Sequence, residues 1–351
     1  MARVFVGMSG GVDSSAAALL LQRQGHAVEG IHLQLLGGLP LPPGSTAPAA
    51  EDARAVAEKL GVPIHFLDLS KEFRESVAAD FVAEYQAGRT PNPCIVCNRR
   101  IKFGAMLDAA LSLGGDSLAT GHYARIRYDE TSGRWLLLRG TDPARDQSYF
   151  LYRLTQFQLA HTLFPLGEME KPAIRDLAEE AGLVTARKRD SQDICFVPDG
   201  DYAAFIARCV GEESPTGDFL DPQGNVLGRH KGFLRYTRGQ HKGLGLPTEQ
   251  PLYVERKDPL TKAIHLAPDA ALYSREATAR DCNWIALPDL TAPLRATARI
   301  RHSRRECPAA VEPLGDGRVR VRFDEPQRAC APGQSVVFYD GETVLGGGFL
   351  E

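Results

Sequence analysis

The chain has 351 residues, a formal net charge of −3 and 43% hydrophobic residues, enough for two or three domains with ordinary cores. The N-terminus has no apolar run long enough for a signal peptide, and the densest apolar stretch, Ala16 to Leu21, is too short to cross a membrane. Seven cysteines in a chain of this size do not form the disulfide framework of a secreted protein. We therefore expect a folded cytoplasmic protein with no membrane association.

Short apolar strands alternate with helices through the first half of the chain. Strands are predicted at 3–7, 27–35, 64–67 and 117–120, and helices at 14–24, 51–60, about 72–85 and 103–113. Helices that end on glycine, between short apolar strands, are typical of a doubly wound parallel α/β sheet. Ligands bind beyond the carboxyl ends of the strands in such sheets, so the loop after the first strand is the expected ligand site.

That loop has the sequence Ser-Gly-Gly-Val-Asp-Ser over residues 9–14. Backbone amides in a glycine-rich turn and at a helix N-terminus are unpaired and can hold phosphates. Gly10 and Gly11 allow close backbone approach, the serines add hydroxyls, and the carboxylate of Asp13 is placed to bind a metal ion or an amide of the turn. A plain helix-capping turn is the alternative, but here strand, glycine pair and cap all fall in register.

Two other phosphate-binding motifs are excluded by the sequence. The kinase-type loop requires Gly-Lys followed by Ser or Thr, and the chain contains no Gly-Lys pair. No Gly-x-Gly-x-x-Gly follows the first strand. Residues 9–14 resemble instead the pyrophosphatase loop (PP-loop) of enzymes that cleave ATP between the α and β phosphates and adenylate a substrate oxygen. The resemblance implies that ATP binds there together with Mg²⁺.

Positive charge is concentrated in separate segments of this acidic chain. Residues 87–102 and 228–242 contain several Arg and Lys and no acid, and residues 295–305 are equally free of carboxylates. Three arginines at alternate positions, 318, 320 and 322, would lie on one face of a strand. One basic cluster is usually a solvated surface, and for the three alternating arginines both interpretations stay open. Several clusters together indicate a long polyanion as partner.

After residue 199 the helix and strand alternation gives way to short strands and turns. Turns are predicted at 221–225, 316–317 and 340–341, within β segments over 226–265 and 295–350. We place domain boundaries near residues 205 and 270. The predicted domains are therefore 1–205, 206–270 and 271–351.

Three cysteines lie beside basic residues. Cys94 and Cys97 belong to a proline-stiffened loop that runs into Arg99, Arg100 and Lys102, and Cys195 follows a second basic run. Nearby positive charge favours the thiolate, so these thiols are expected to ionise readily and to be good nucleophiles. A single Cys-x-x-Cys without a second pair is weak evidence for zinc, and no metal site is assigned. The remaining cysteines are expected to be small core residues: Cys209, Cys282, Cys307 and Cys330.

Six motifs taken together resemble the tRNA-specific 2-thiouridylase family: SGGVDS at 9–14, TPNPCIVCN at 90–98, ATGHYAR at 119–125, ARDQSYFL at 144–151, DSQDICF at 190–196 and TRGQHKGLG at 237–245. The resemblance implies sulfuration of wobble uridine 34 in the tRNAs for lysine, glutamate and glutamine, with cleavage of ATP to AMP and pyrophosphate. It implies a PP-loop domain, a small tRNA-binding central domain and a β-barrel-like C-terminal domain. It also implies that a persulfide sulfur carrier or a cysteine desulfurase supplies the sulfur.

The same resemblance implies roles for individual residues. Cys195 matches the persulfide carrier, and Cys97 matches the second cysteine, which releases the sulfur as hydrosulfide or through a Cys97–Cys195 disulfide. Asp13 is the expected catalytic carboxylate of the loop. The expected nucleotide-binding residues are Gly7, Met8, Ser9, Gly10, Gly11, Val12, Asp13, Ser14, Leu33 and Gly121. The expected tRNA-binding residues are Asn92, Pro93, Cys94, Arg145, Asp146, Gln147, Arg301 and His302.

Cys94 leaves two questions open. Some family members have Asp at this position, so a general base that acts through that Asp is in doubt here. Alternatively, Cys94, Cys97 and Cys195 together hold a [4Fe-4S] cluster with one iron open for sulfide, which is not the favoured interpretation. Two further alternatives are a PP-loop ligase acting on a small metabolite and a tRNA-binding module with a vestigial loop. The basic clusters argue against the first, and the intact PP-loop argues against the second.

Overall fold

The computed structural model describes residues 1–42, 49–188, 193–247, 250–303 and 305–351. The strands β1 to β17 are, in chain order, Arg3–Gly7, Ala27–Gln34, Ile64–Asp68, Ser117–Ala119, Ala124–Asp129, Arg134–Arg139, Thr162–Leu163, Gly217–Leu220, Val226–His230, Tyr253–Lys257, Ile264–Ala267, Tyr273–Trp284, Leu294–Arg299, Cys307–Gly315, Arg318–Arg328, Ser335–Asp340 and Thr343–Leu350. The helices α1 to α9 are Val12–Arg23, Ala49–Leu60, Ser70–Phe73, Ala79–Gln86, Pro93–Cys97, Met106–Ser112, Gln156–Ala160, Lys171–Glu180 and Tyr202–Val210. Two π-helical segments, Arg74–Ala78 and Asn98–Ala105, join α3 to α4 and α5 to α6. Within these ranges no helix combines the length and apolarity that a membrane span requires.

The first half of the chain forms a five-stranded parallel sheet in the order β3-β2-β1-β4-β7. This confirms the predicted doubly wound α/β fold. Alternation along β1 explains its two faces, because Val4 and Val6 pack in the core of α1, α2 and α8, whereas Phe5 packs in the core of α6. The strand order reverses between β1 and β4, so the crevice beyond their carboxyl ends is the expected ligand site.

A second sheet of four strands, in the order β10-β11-β8-β9, follows α9. Strands β8 and β9 pair antiparallel around the turn predicted at 221–225, where the Asp221 carboxylate accepts the N–H of Asn225 at 2.8 Å. Short strands and a turn are therefore confirmed from Gly217 onward, but helix α9 over Tyr202–Val210 was not predicted. The same sheet packs its buried face, including Phe219 and Ile264, on α4 and α9.

The third sheet contains eight strands in the order β12-β15-β14-β13-β16-β17-β6-β5. An additional pairing of β12 with β17 closes six of these strands into a barrel, which confirms the barrel-like C-terminal region. The predicted turns at 316–317 and 340–341 join β14 to β15 and β16 to β17. The hairpin of β5 and β6 was not predicted; it comes from the first half of the chain and pairs with β17 at Leu138 and Thr343.

The barrel packs closely on the segment that follows the hairpin. Tyr149 and Tyr152 are fully buried there. The Tyr149 hydroxyl donates to the Ser335 carbonyl at 2.9 Å, and the hydroxyls of Tyr152 and Ser335 lie 3.0 Å apart. Asn283 of β12 donates to the Tyr152 carbonyl at 2.8 Å. These buried hydrogen bonds fix the barrel against the parallel-sheet domain.

Candidate active site

The glycine-rich turn lies between β1 and α1, as predicted. Gly10 has φ +72°, and a Cβ there would lie 2.4 Å from the carbonyl oxygen of Ala49, so the position requires glycine. Ser14 Oγ accepts the N–H of Ser9 at 3.2 Å and donates to the Gly11 carbonyl at 3.1 Å. In the part of the chain that the structure describes, no side chain caps α1 at Gly11. The turn is thus closed by its own groups, and the first amides of the helix remain available to an anion.

The serine hydroxyls of the turn differ in accessibility. Ser9 is exposed, whereas Ser14 and Ser15 are 4% and 1% exposed. Ser15 Oγ donates to the Gly11 carbonyl at 2.9 Å and accepts a hydrogen bond from Thr185 at 3.0 Å. The Ser15 hydroxyl is therefore engaged within the protein, because a serine in the first helical turn can bond back to the preceding carbonyl.

Asp13, in the first turn of α1, forms an ion pair with the buried side chain of Lys171. Lys171 Nζ donates to Asp13 Oδ1 at 2.7 Å and to Oδ2 at 2.9 Å, and the Tyr123 hydroxyl donates to Oδ1 at 2.7 Å. The Lys171 side chain is 8% exposed, so it depends on this carboxylate for compensation of its charge. The sequence predicted neither partner, although a lysine at the first position of a helix opposes the helix dipole and signals an acid partner elsewhere.

The other nucleotide positions gather around this turn. Gly121 follows β4, and a Cβ there would lie 2.7 Å from the Asp13 carbonyl carbon, so glycine alone allows the two loops to meet. Leu33 lies near the carboxyl end of β2, beside β1. Met8 and Val12 are 1% and 3% exposed, which leaves their backbone as the part that reaches the crevice. At Gly7 a Cβ would lie 3.0 Å from Met106 Cε.

A second lysine, also missed by the sequence analysis, contacts the turn. Lys188 Nζ donates to the Gly10 carbonyl at 3.0 Å and forms an ion pair with Asp52 of α2. This cation is 39% exposed. It therefore places positive charge at the edge of the turn where phosphate oxygens of a nucleotide would lie.

The donor set around Asp13 suits a Mg²⁺ ion that arrives with ATP. Among the described residues no three His, Cys, Asp or Glu side chains form a metal-binding group. Asp13 Oδ2 accepts a hydrogen bond from Lys171 and keeps a further lone pair. Mg²⁺ typically binds one or two carboxylates and completes its shell with substrate phosphates and water. The residues of this site therefore fit a Mg²⁺ ion that takes one protein ligand, Asp13.

Cys94 and Cys97 lie on a helix and not in the predicted loop. Pro93 occupies the first position of α5, where its missing N–H costs nothing, and the Asn92 side chain caps the helix by accepting the N–H of Cys94 at 3.2 Å. The helix predicted at 103–113 therefore begins ten residues earlier than expected. Cys94 is exposed in the first turn, whereas Cys97 is 8% exposed.

Aromatic packing brings Cys195 to the same place. Its neighbour Phe196 is 1% exposed and makes edge-to-face contacts with Phe73 and Phe81, at ring-centroid distances of 5.5 and 5.3 Å. Cys97 belongs to the same buried cluster as Phe196. The cysteines from two distant segments are thereby brought together, with the exposed Cys195 at the edge of the cluster. Of the seven residues of the motif at 190–196, the structure describes four, 193–196, and residues 190–192 lie outside the described residues.

The predicted easy ionisation of these thiols is wrong. Burial raises the pKa of Cys97 to about 12, and protein atoms packed around the sulfurs of Cys94 and Cys195 desolvate them and also raise their pKa values, although both residues reach the surface. Lys102 is the cation that lowers all three pKa values, but loss of solvation is the larger effect. Arg99 and Arg100 follow Cys97 in the sequence, but they are not among the groups that lower its pKa. The thiols also raise each other's pKa, which indicates that they are close neighbours.

The π-helical segment Asn98–Ala105 explains the position of Lys102. In an α-helix, a residue five positions after Cys97 would be rotated by about 140° from it. A π-helix forms i to i+5 hydrogen bonds, as from the Met106 N–H to the Ile101 carbonyl, so residues five apart lie over each other. Lys102 is half-buried on the cysteine side of the helix, and it also lowers the pKa of His122, which follows Gly121.

The cysteines as placed do not form an iron ligand set. Their side chains include both exposed and buried sulfurs, and no metal-binding group of three is found among the described residues, which include Cys94, Cys97 and Cys195. The cluster interpretation therefore has no support in this arrangement, and no step below depends on it.

The predicted tRNA-binding positions from two domains adjoin each other. The His302 ring lies 4.3 Å from the Phe150 ring between centroids, beside Arg145 to Gln147. Burial lowers the pKa of His302. Arg145 and Arg301 are exposed. The structure thus brings the 145–147 and 301–302 segments into one surface at the contact between the parallel-sheet domain and the barrel.

Asp146 is the exception in this surface. Its side chain is 6% exposed and accepts a hydrogen bond from Arg299 of β13 at 2.9 Å. The same carboxylate accepts the N–H groups of Gly140 and Ser148 at 3.2 and 3.0 Å. The expectation that Asp146 contacts tRNA is therefore corrected for its carboxylate. A short acidic side chain held inside the protein by Arg299, Gly140 and Ser148 is not available to a polyanion.

The basic clusters differ in how far acids neutralise them. Arg318 donates to Glu351 at 2.7 Å, and Arg322 donates to Glu276 at 3.0 Å and to Glu312 at 3.1 Å. The alternation predicted for β15 is confirmed, and these arginines form a paired, solvated face. Lys231 and Lys242, by contrast, have no ion pair with any described residue.

The remaining cysteines follow the prediction in part. Cys307 and Cys330 are buried in the barrel, as expected. Cys282 is half-buried. Cys209 is exposed near the end of α9, where it lines a groove of about 510 Å³ with Leu39 and Arg74, so its predicted burial is wrong.

Three protein-family models match successive segments of this chain. Residues 2–199 match the tRNA methyl transferase HUP domain, residues 203–268 the tRNA methyl transferase PRC-barrel domain, and residues 274–350 the aminomethyltransferase β-barrel domain. Curated relatives match over 99% of the chain. The "tRNA-specific 2-thiouridylase MnmA" of Acetivibrio thermocellus is 48% identical over 99% of its own length, and that of Moorella thermoacetica is 49% identical over 98%.

The chain belongs to the tRNA-specific 2-thiouridylase family. The protein of the same name from Clostridioides difficile is 45% identical, again over 99% of this chain and 98% of its own length. The matches extend through all three sheets. They therefore include the PP-loop, the cysteines and the barrel surface of this 2-thiouridylase family member.

Proposed function

We propose that this 2-thiouridylase family member is a tRNA-uridine 2-sulfurtransferase that consumes ATP. Two reactive regions on neighbouring faces support this proposal: the anion-binding turn at Asp13 and the three cysteines. The helix that carries Cys94 and Cys97 connects them, because the ring of Phe103 lies 5.6 Å from the ring of His122, which follows Gly121 beside Asp13. The observation that carries the proposal is this placement of a nucleotide-activating site next to paired sulfur nucleophiles.

The chemistry requires activation before sulfur transfer. The C2 oxygen of uridine is a poor leaving group, so we propose that it first attacks the α-phosphorus of ATP and displaces pyrophosphate. The resulting adenylated oxygen leaves as AMP when sulfur attacks C2. Amides at the start of α1 and the Lys188 ammonium would stabilise phosphate charge during the first step.

Asp13 and its partners serve the nucleotide step. The carboxylate would supply one ligand to Mg²⁺, which offsets phosphate charge and orients the nucleotide when bound. Lys171 and Tyr123 hold both oxygens of Asp13 at 2.7 to 2.9 Å, so the carboxylate is fixed before ATP arrives. This preorganisation avoids a reorientation during reaction.

Sulfur transfer is proposed to run through Cys195 and Cys97. The terminal sulfur of a Cys195 persulfide attacks C2, AMP leaves, and the nucleoside stays linked to Cys195 through a sulfur–sulfur bond. Cys97 then attacks the Cys195 sulfur, which releases 2-thiouridine and leaves a Cys97–Cys195 disulfide. An external two-electron reductant restores the thiols. The same residues allow one other route. Cys97 attacks the Cys195 persulfide first and releases hydrosulfide, and the hydrosulfide then attacks C2.

The substrate is proposed to enter from the basic surface. C2 lies on the Watson–Crick edge, so the wobble uridine must leave the stack to reach both regions. Asn92, Pro93 and Cys94 are proposed to contact it, and Arg145, Gln147, Arg301 and His302 to contact the tRNA body. The subset of lysine, glutamate and glutamine tRNAs, a persulfide carrier or desulfurase as donor, and a cytoplasmic location belong to the same proposal.

The direct test is a thiolation assay. The purified protein is incubated with ATP, Mg²⁺, a cysteine desulfurase with cysteine, and unmodified glutamate tRNA, and nucleosides are analysed by mass spectrometry. We expect 2-thiouridine at the wobble position, dependent on ATP. Cys209→Ser is a matched control, since Cys209 is exposed but lies outside the proposed site, and it should retain full activity. No product from the wild type would refute the proposal.

A further inference from the structure

A series of buried contacts joins the barrel to the nucleotide turn. It begins at Arg299, the last residue of β13, whose Nη1 lies 2.9 Å from Asp146 Oδ2. Both side chains are 6% exposed. Because Asp146 also accepts the N–H groups of Gly140 and Ser148, Arg299 holds the whole loop between them in place.

The residue after Asp146 continues the series. The Tyr123 N–H donates to Gln147 Oε1 at 3.1 Å, and the Gln147 N–H donates to the Tyr123 carbonyl at 2.9 Å. Tyr123 is 2% exposed, and its hydroxyl donates to Asp13 Oδ1 at 2.7 Å. The backbone of Tyr123 is thus fixed by the loop that the barrel holds, while its hydroxyl reaches the nucleotide turn.

The outer end of the series lies at the proposed tRNA surface. His302, three residues after Arg299, packs on Phe150 with 4.3 Å between the ring centroids, and its ring lies 5.9 Å from that of Tyr149. Arg301 is exposed beside it. A polyanion that binds Arg145 and Arg301 therefore contacts residues within two positions of Asp146 and of Arg299 in the chain.

We infer that Tyr123 is a positioning residue, through which tRNA bound at residues 145–147 and 301–302 stabilises the orientation of Asp13 that this structure already shows. The inference rests on the proposed function, since it requires ATP at the turn and tRNA at that surface. The two states are Asp13 shared between Tyr123 and Lys171, as in this structure, and Asp13 held by Lys171 without the Tyr123 hydroxyl; tRNA and nucleotide both favour the first state. Each ligand then changes the affinity for the other, and by the same factor.

The test measures this factor directly. The dissociation constant of α,β-methylene ATP, which cannot be cleaved at the reacting bond, is determined with and without saturating unmodified glutamate tRNA. The converse measurement gives the tRNA dissociation constant with and without the analogue. For the wild type we expect both ratios to agree at about fivefold or more. Tyr123→Phe removes only the hydroxyl, and we expect its ratio to fall to about one while each ligand still binds alone.

Tyr149→Phe is the matched control. It also removes one buried hydroxyl at the same interface, where Tyr149 donates to the Ser335 carbonyl at 2.9 Å, but this contact does not lead to Asp13. Its ratio should equal that of the wild type. A wild-type ratio in Tyr123→Phe, or an equal loss in Tyr149→Phe, would overturn the inference. A ratio of one in the wild type, with both ligands bound, would overturn it and leave the proposed function intact, whereas failure of either ligand to bind would contradict both.

Discussion

The nucleotide turn and the cysteine region of this protein are built in opposite ways. The turn is one continuous stretch, residues 9–14, closed by hydrogen bonds among its own serines and Gly11. The cysteines come from two segments about a hundred residues apart, and they meet because Phe196 packs into the same cluster as Cys97. The turn therefore depends on local backbone geometry, whereas the sulfur region depends on tertiary packing.

The two regions also differ in how they treat charge. At the turn, the Asp13 carboxylate is paired with Lys171 at 2.7 Å, so it is already held in place. Around the cysteines, burial favours the neutral thiols against the field of Lys102. The comparison indicates a nucleotide site that is preformed and a sulfur site that must be activated when donor or substrate arrives. The following predictions test that contrast.

The largest expected effect separates the two regions completely. Cys195→Ser should abolish 2-thiouridine formation, because no other thiol can carry the transferred sulfur to C2. Release of pyrophosphate and formation of adenylated tRNA should persist in this variant, since the nucleotide turn is untouched, whereas AMP should stay bound to the tRNA because no sulfur displaces it. Both products are measured in one reaction by mass spectrometry and thin-layer chromatography. Thiolation by Cys195→Ser would contradict the proposed role of this residue.

Cys97 should be unreactive in the resting protein. Its pKa is raised from 9.0 to about 12, so between these pH values the folded protein keeps a proton that an exposed thiol loses. Three pKa units correspond to about a thousandfold less thiolate near pH 8. Alkylation by iodoacetamide, followed by peptide mass spectrometry, should therefore modify Cys97 far more slowly than the same residue in urea. Equal rates in native and unfolded protein would show that burial does not control this thiol.

Loss of the lysine partner should damage the preformed site. Lys171→Met leaves Asp13 with the Tyr123 hydroxyl but without its countercharge, and since Asp13 is 31% exposed the loss of stability should stay below the about 3 to 5 kcal/mol typical of a fully buried unpaired charge. We expect AMP formation to fall about a hundredfold, with a lower midpoint in urea denaturation. Lys59→Met, in the last turn of α2, is a matched surface control. Unchanged AMP formation in Lys171→Met would mean that the position of Asp13 does not matter.

The smallest effect is expected on the strand face of β15. Arg322 is half-exposed and paired with Glu276 and Glu312, so its charge is largely compensated within the protein. Arg322→Ala should change stability by about 1 kcal/mol or less and the tRNA dissociation constant less than about twofold. Arg145→Ala, in the proposed surface, should weaken tRNA binding more and reduce its salt dependence. A larger effect of Arg322→Ala in filter binding would indicate that tRNA binds the β15 face instead of the proposed surface.

The features that the sequence predicted are local ones. The turn at 9–14, the alternation in β15 and the hairpin at 221–225 each follow from neighbouring residues, so their patterns are visible along the chain. The start of α5 was missed because Pro93 and Asn92, which also suit a loop, act here as the first residue and the cap of a helix.

Contacts between distant residues could not be predicted in this way. Asp13 and Lys171 are 158 positions apart, and Asp146 and Arg299 are 153 apart. The π-helical register that turns Lys102 toward the thiols also has no sequence pattern of its own. The fold determines these features, and they are the ones that set the charge at both reactive regions.

The most direct test of the account follows the sulfur itself. The protein is charged with a ³⁵S-labelled donor in the absence of ATP, separated from the donor, and chased with ATP and unmodified glutamate tRNA under single-turnover conditions. We predict a labelled persulfide on Cys195 before the chase, label in 2-thiouridine after it, and a Cys97–Cys195 disulfide in proportion to product. Label that reaches tRNA without ever residing on Cys195 would contradict the account.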